Sequence, residues 1–241
     1  MLELDRLLQR QGFGTRKACA ALIASGQVCV RAAGDDALRV CTDPAESVAT
    51  DGFSFTVDGE PWQYRERVYI ALNKPAGYEC SAQPMHHHSV FSLLPLPMIN
   101  RGVQCVGRLD QDTTGLLLLS DDGDFIHALT SPKKHVSKVY EATTKHPLDD
   151  EQLAALAAGV VLRDAPAPVF ALDCRRLERN RLQLTIAEGR YHQVKRMVAA
   201  AGNRVEALHR VTIGGYDLPA SLAQGCWAWL EEGDLAQLRS P

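Results

Sequence analysis

Residues 107–125 read GRLDQDTTGLLLLSDDGDF, and from Gly115 to Leu119 this stretch is apolar at every position. A strand with one wet face alternates, so four consecutive leucines between acids predict a short strand covered on both faces. Asp110, Gln111, Asp112, Thr113 and Thr114 then form the loop at its mouth. Charged groups on a loop held by a rigid strand are where binding and catalysis tend to sit. The Asp-x-Asp spacing by itself favours a plainer reading, in which Asp and Thr cap turns by bonding nearby backbone N–H groups.

Upstream the chain reads as a separate small module. Between Leu2 and Ile23 the residues Leu4, Leu7, Leu8, Ala18, Ala21 and Leu22 recur at helical spacing, broken by Gly12-Phe13-Gly14. The break predicts a turn. Thr15 caps a second helix, Ser25-Gly26 ends it, and Gln27-Val28-Cys29-Val30 follows as a short alternating strand. Residues 1–40 carry Arg6, Arg10, Arg16, Lys17, Arg31 and Arg39 against Glu3, Asp5, Asp35 and Asp36. On charge alone these bases are a solvated helix face. Residues 53–67 give a strand, an Asp58-Gly59 turn and a polar stretch with a proline. The expected division is therefore a module over 1–60, a linker over 61–66 and a larger domain over 67–241. A chain of 241 residues has room for one substantial core and a smaller one.

In the larger domain Val68-Tyr69-Ile70-Ala71-Leu72 reads as a buried strand running into the turn Asn73-Lys74-Pro75-Ala76-Gly77. Short strands and helices follow without a βαβ rhythm. The expected class is α+β, with a mixed, mainly antiparallel sheet flanked by helices. His86-His87-His88 are consecutive, point in different directions and read as a polar loop, so no metal is expected. Seven scattered cysteines without a CxxC pair suit free thiols in a reducing compartment. The opening MLELDRLLQR has acids where a signal peptide wants lysines, and no apolar stretch approaches about 18 residues. The expected location is the cytoplasm, away from any membrane.

The formal net charge of −3 gives no global field for a polyanion, so such a partner must meet local patches. One lies in IAEGRYHQVKRMVAAAGN, residues 186–203. Ala187-Glu188-Gly189 predicts a turn, Arg190 opens a helix with the apolar stripe Val194, Met197, Val198 and Ala201, and Gly202 ends it. Tyr191 and Lys195, four apart, are then expected on one face. Between 186 and 210, Arg190, Lys195, Arg196, Arg204 and Arg210 outnumber Glu188 and Glu206, with His192 and His209 among them. Another patch runs from Ser131-Pro132-Lys133-Lys134-His135 to Lys138-Val139-Tyr140. Interleaved cations and aromatics suit a phosphate backbone and a stacked base.

Four blocks, NKPAGY at 73–78, GRLDQDTTGLLLLSDDG at 107–123, TSPKKHVSKVYEA at 130–142 and EGRYHQVKRM at 188–197, resemble in that order the RsuA-type branch of the pseudouridine synthases. Leu4-Asp5-Arg6-Leu7-Leu8 followed by GFGTRKACAALIASGQVCV resembles the S4-type RNA-binding module. That likeness departs after Val30, where a short Asn-Gly or Asp-Gly turn gives way to RAAGDDALRVCTDPAESVATDG.

The resemblance implies a small S4-like α/β RNA-binding module followed by a pseudouridine synthase domain. It implies a monomer that acts without cofactor on ribosomal RNA or a ribosomal precursor particle, most like the members acting on 16S small-subunit RNA. Asp110 takes the catalytic position of the Arg-Leu-Asp triplet. Lys195 takes that of the cation that keeps a buried carboxylate ionised, where sister branches carry arginine. Tyr140 matches the tyrosine that stacks on the target base, and Arg108 the arginine that holds the base out of the helix, while Asp112 and Thr113 shape the loop. Expected RNA contacts are Arg6, Arg10, Arg16, Lys17, Lys74, Lys133, Lys134, Arg190 and Arg196. Two other classes stay open on the residues alone. One is an RNA-binding assembly factor with Asp110 as a loop cap, and the other is a hydrolase using Asp110 and Asp112 as paired carboxylates.

Overall fold

The computed structural model describes residues 1–31, 37–163 and 167–239. They divide into one compact unit of Met1–Val68 with Leu94–Val103 and a second of Tyr69–Leu93 with Gln104–Pro241. The Asp35-Asp36 part of the departure after Val30 lies outside the described residues.

The first unit opens with β1 (Leu2–Glu3) and α1 (Leu4–Arg10), which buries Leu4, Leu7 and Leu8. Thr15 accepts the Ala18 N–H at 3.2 Å and caps α2 (Arg16–Ala24). The strands β2 (Val28–Val30), β3 (Arg39–Cys41), β4 (Ser47–Val48), β5 (Ser54–Val57) and β6 (Glu60–Gln63) follow. They give an antiparallel sheet in the order β3-β2-β5-β6, with β1 paired to β4. Phe13, from the turn between the helices, meets Phe55 and Trp62 edge-on at 5.8 and 5.1 Å in the core.

The expected boundary needs correction in two places. Residues 61–63 belong to β6 rather than to a linker, and Pro61 is tolerated because β6 is the edge strand, where a missing N–H breaks no ladder. The segment 94–103, with α3 (Leu96–Asn100), packs in the first unit although the sequence places it inside the second. Arg101 donates to Arg65 O at 2.7 Å and to Gln11 Oε1 at 3.1 Å, and Asn100 donates to Gly12 O at 2.8 Å. Gly12, at φ +88°, admits this approach, since a Cβ there would lie 2.0 Å from the Pro97 carbonyl oxygen.

The second unit comprises β7 (Tyr69–Lys74), β8 (Tyr78–Glu79), β9 (His88–Ser89), β10 (Gln104–Val106), β11 (Thr114–Ser120), α4 (Gly123–Thr130), β12 (Lys138–Thr144), α5 (Asp150–Ala158), β13 (Asp173–Glu178) and β14 (Arg181–Ile186). It is completed by α6 (Gln193–Ala200), β15 (Val205–Ile213), β16 (Tyr216–Asp217), β17 (Trp227–Trp229) and α7 (Glu232–Leu238). The main sheet runs β13-β14-β12-β15-β11-β7-β17, with β10 on β11 and β16 on β15. Among the described residues of this sheet only β11 and β15 pair in parallel. The class is the expected α+β with a mainly antiparallel sheet.

β11 is the leucine run, and Leu116, Leu117, Leu118 and Leu119 are each fully buried. One face packs against Phe125 and Leu129 of α4, whose N-terminus Asp122 caps by accepting the Asp124 and Phe125 N–H groups. Gly115 is the obligatory small residue of this strand. It pairs with Arg210 of β15 at φ +99°, and a Cβ there would sit 2.3 Å from the Arg210 carbonyl oxygen. α6 buries Val194, Met197 and Val198 as the stripe predicts. It begins at Gln193 rather than Arg190, because His192 adopts a left-handed conformation (φ +49°) that stops the helix there. Tyr191 thus precedes the helix and does not share a face with Lys195. It stacks on His192 with ring centroids 3.8 Å apart.

Candidate active site

The loop from Gly107 to Thr113 leaves β10, passes Arg108, Leu109 and Asp110, and enters β11. Its shape is fixed from below by Lys74, the last residue of β7. Lys74 is fully buried, and its ammonium donates to the carbonyls of Pro75 at 3.0 Å, Gln111 at 3.2 Å and Thr113 at 2.9 Å. Gly77 N–H adds a bond to Gln111 O at 2.8 Å. Burial holds the Lys74 pKa below its ordinary value, partly opposed by the charges of Cys80, Asp112 and Asp110. Lys74 is therefore corrected from RNA contact to internal staple, because an ammonium without exposed surface and with three carbonyl partners has nothing left for a phosphate.

The same loop rests on a thiol. Leu109 N–H donates to Cys80 Sγ at 3.4 Å. A hydrogen bond from the Cys105 thiol outweighs burial and brings Cys80 down to about 6, while the same bond drives Cys105 up. All seven cysteines are free thiols.

Above the loop, the start of α6 presents the side chains of Lys195 and His192 to Asp110. Lys195 Nζ lies 3.4 Å from Oδ2, and His192 Nε2 lies 3.3 Å from Oδ1. Lys195 lies closer still to Asp112, at 2.6 Å from Oδ1. Burial pushes the Asp112 carboxyl up, but the hydrogen bond and charge of Lys195 outweigh it and hold the pKa below the usual value. The expected Asp110–Lys195 pairing is present, with two corrections. The Asp110 side chain is 27% exposed rather than buried, and the lysine is shared with Asp112. An ammonium is a compact point charge, able to sit between two carboxylates where a planar guanidinium would grip one face.

Asp110, Arg108 and Tyr140 wall one cleft together with His192, Gln193 and Arg190. It opens beside a wider hollow bounded by Asp110, Asp112, Lys195, Tyr191 and His86. Tyr140 is 8% exposed and faces Arg210 across the β12–β15 ladder, with Arg210 Nη1 3.4 Å from its hydroxyl. Arg108 is exposed, and its guanidinium makes no hydrogen bond or ion pair among the described residues.

The remaining expected contacts separate by what already holds them. Lys133 and Lys134 stand exposed on a single turn, Pro132–Lys134. Arg190 pairs with Glu188 at 2.5 Å, and Arg196 bonds the Tyr191 carbonyl at 3.2 Å. In the first unit Arg16 is tied to Glu3 at 2.6 Å and Asp5 at 2.7 Å, and Arg6 to Glu3 at 3.1 Å. Arg10 and Lys17 are exposed and have no ion pair among the described residues. Of the histidine run, His86 and His87 lie in a loop whose backbone N–H groups, with that of Met85, are accepted by the Glu79 carboxylate, whereas His88 is corrected to the start of β9, paired with Tyr78. Sequence reading left out His192 and Arg210 as individual site residues. Its one signal was their place in the basic stretch 186–210, with an arginine inside a strand otherwise reading Leu208 to Ile213. Among the described residues no helix is long and apolar enough to cross a membrane.

A family model for RNA pseudouridylate synthase matches residues 68–200, which hold the Lys74 staple, the Asp110 loop, Tyr140 and Lys195. The chain belongs to the RNA pseudouridylate synthase family. It is of the RsuA type: it is 42% identical over 182 residues to ribosomal small subunit pseudouridine synthase A of Escherichia coli (strain K12), covering 75% of this chain and 78% of that protein. An uncharacterised RNA pseudouridine synthase of Bacillus subtilis (strain 168) is 36% identical over 246 residues, 100% of this chain and 99% of the relative. A crystal structure of a pseudouridylate synthase superposes with a TM-score of 0.68 at 33% identity, over 99% of this chain and 100% of that one.

Proposed function

We propose that this protein isomerises a uridine of small-subunit ribosomal RNA to pseudouridine, with Asp110 as the reacting group. The observation that carries the reading is the Asp110 carboxylate between Lys195 and His192, in a cleft that Arg108 and Tyr140 also wall. The reaction breaks the bond from C1′ to N1, turns the uracil and joins C1′ to C5. N1 gains a proton and C5 loses one, with no net redox change and no cofactor. A carboxylate acting on the nucleoside has to be ionised, and the Lys195 ammonium stands 3.4 Å from the Asp110 carboxylate. Tyr140 supplies a face for the base, and Arg108 a cation beside the loop to offset the cost of extruding a nucleotide, about a few kcal/mol.

A hydrolase with paired carboxylates needs one of them protonated as general acid. Asp112 is held below the ordinary carboxylate range, which disfavours that role. An assembly factor with Asp110 as a mere cap would not require Lys195 and His192 to converge on its oxygens. Around the reacting group, Lys133, Lys134, Arg190 and Arg196 meet the phosphate backbone. The first unit serves as an S4-like RNA-binding module through Arg10 and Lys17. The protein works as a monomer in the cytoplasm.

Pseudouridine mapping of small-subunit ribosomal RNA from cells with and without this gene tests the reading. One uridine is expected to lose its modification in the deletion and to regain it on complementation. An unchanged map would overturn the proposal, and free uracil with an abasic site would favour the hydrolase.

A further inference from the structure

A second cavity of about 450 Å³ adjoins the cleft. Arg108, Tyr140, Gly189 and Arg190 wall both, whereas Asp110 and His192 wall only the cleft. The volume lies within the range of about 300–1,000 Å³ common for sites that enclose small organic groups. The lining is apolar at Val106, Leu129 and Ile213 and cationic at Arg108, Lys138, Arg190 and Arg210. Glu188 is the one carboxylate among the lining residues, and Arg190 already binds it at 2.5 Å.

Arg210 is the telling member. Its side chain is 2% exposed, its Nε donates to Leu116 O at 2.7 Å, and its Nη1 reaches the Tyr140 hydroxyl at 3.4 Å. Its Nη2 is buried without any hydrogen-bond partner. Lys138, two residues from Tyr140 on β12, gives one N–H to the Val136 carbonyl at 2.7 Å. Burial, and then the charge of Arg210, bring Lys138 down to about 8. Two cationic side chains thus line one cavity, the charge of one acting on the other, and Arg210 keeps a buried donor unpaired. Leaving a buried charged group short of a partner costs free energy, which an incoming anion removes. Gly115 fixes the arrangement by letting β11 approach the Arg210 backbone.

We propose that this cavity holds a second nucleotide of the RNA, a neighbour of the target uridine, with its phosphate against Lys138 and Arg210 and its base on the apolar lining beside Tyr140. The proposal rests on the reading of the adjoining cleft as an RNA isomerase site. A polymer engaged at Asp110 passes the shared wall of Arg108 and Tyr140, so its next unit is the group within reach of this cavity. Phosphate is the fitting anion because two fixed cations offer several N–H donors around one point, and its oxygens accept from both.

Two measurements test it. Inorganic phosphate alone is titrated into the wild type and each variant, and binding is followed by calorimetry. Saturable binding is expected for the wild type and for Lys138→Arg, and at least tenfold weaker binding for Lys138→Met, with thermal melts confirming that each variant folds. Small-subunit ribosomal RNA is then bound to Asp110→Asn with and without Lys138→Met. The second substitution is expected to weaken binding about tenfold and to lower the salt slope by about one, and Lys138→Arg to restore both. Equal affinity and equal salt slope would overturn the proposal, as would phosphate bound equally well by Lys138→Met. Phosphate captured through Lys138 in a protein that forms no pseudouridine would support the cavity and overturn the isomerase reading instead.

Discussion

Lys74 and Lys195 both come from blocks that look basic in sequence, and their surroundings assign them opposite work. Lys74 has no exposed surface and donates to three carbonyls of the loop it supports, whereas Lys195 reaches across to two carboxylates. Lys74→Met should destabilise the protein by about 3 kcal/mol, because carbonyls stay buried without donors, and should leave the salt slope of RNA binding unchanged. Urea midpoints and binding isotherms at several salt concentrations check both halves. Lys138 gives a pH prediction. Facing Arg210, Arg108, His135 and the Arg190–Glu188 pair around its cavity, it titrates near 8 in the folded protein, below the ordinary 10.5. The unfolded chain then binds more protons between about 8 and 10.5, so the Lys138 contribution to stability is fully present above that window and is lost as pH falls through about 8. The stability difference between wild type and Lys138→Met should therefore grow in favour of wild type as pH rises from 8 to 10.5, and stay flat below 7. Which lysine turns inward was not legible from the sequence, since it depends on carbonyls from residues 37 and 39 positions away.

At the scale of elements, legibility followed how local each cause is. The leucine run of β11 announces its own burial through the absence of alternation, and Thr15 announces α2 through its capping hydroxyl. The start of α6 was misplaced by three residues because the stop is a left-handed conformation at His192, a residue type that gives little warning of it. Gly115 looked like part of a strand and turns out to be the contact point of the parallel pair β11–β15. Gly115→Ala should cost about 3 kcal/mol or more, since a Cβ meets the Arg210 backbone and the φ of +99° is strained for any side chain. Chemical denaturation reads the loss. Activity should fall with it even where the variant stays folded, because Arg210 moves with β15 and Tyr140 is paired to it on β12. A fully stable, fully active Gly115→Ala protein would show that the strands can separate without consequence.

At the scale of the whole molecule, the two-part organisation was legible from the helix–turn–helix–strand opening, whereas its boundary was not. Residues 94–103 join the first unit through Gln11, Gly12 and Arg65, contacts between positions far apart in the chain. Cutting after residue 60 would part β5 from β6, so truncation there mixes lost RNA contacts with local unfolding. The exposed cations test the first unit more cleanly. Arg10→Ala with Lys17→Ala should weaken binding of small-subunit ribosomal RNA and lower the salt slope by about two while the single-turnover rate on bound RNA holds. The central claim concerns Asp110, and the most direct measurement is pseudouridine formed by Asp110→Asn in small-subunit ribosomal RNA, alongside its affinity for that RNA. Pseudouridine should fall below detection while affinity stays within a few-fold of wild type; turnover retained in Asp110→Asn would contradict the assignment of the reacting group.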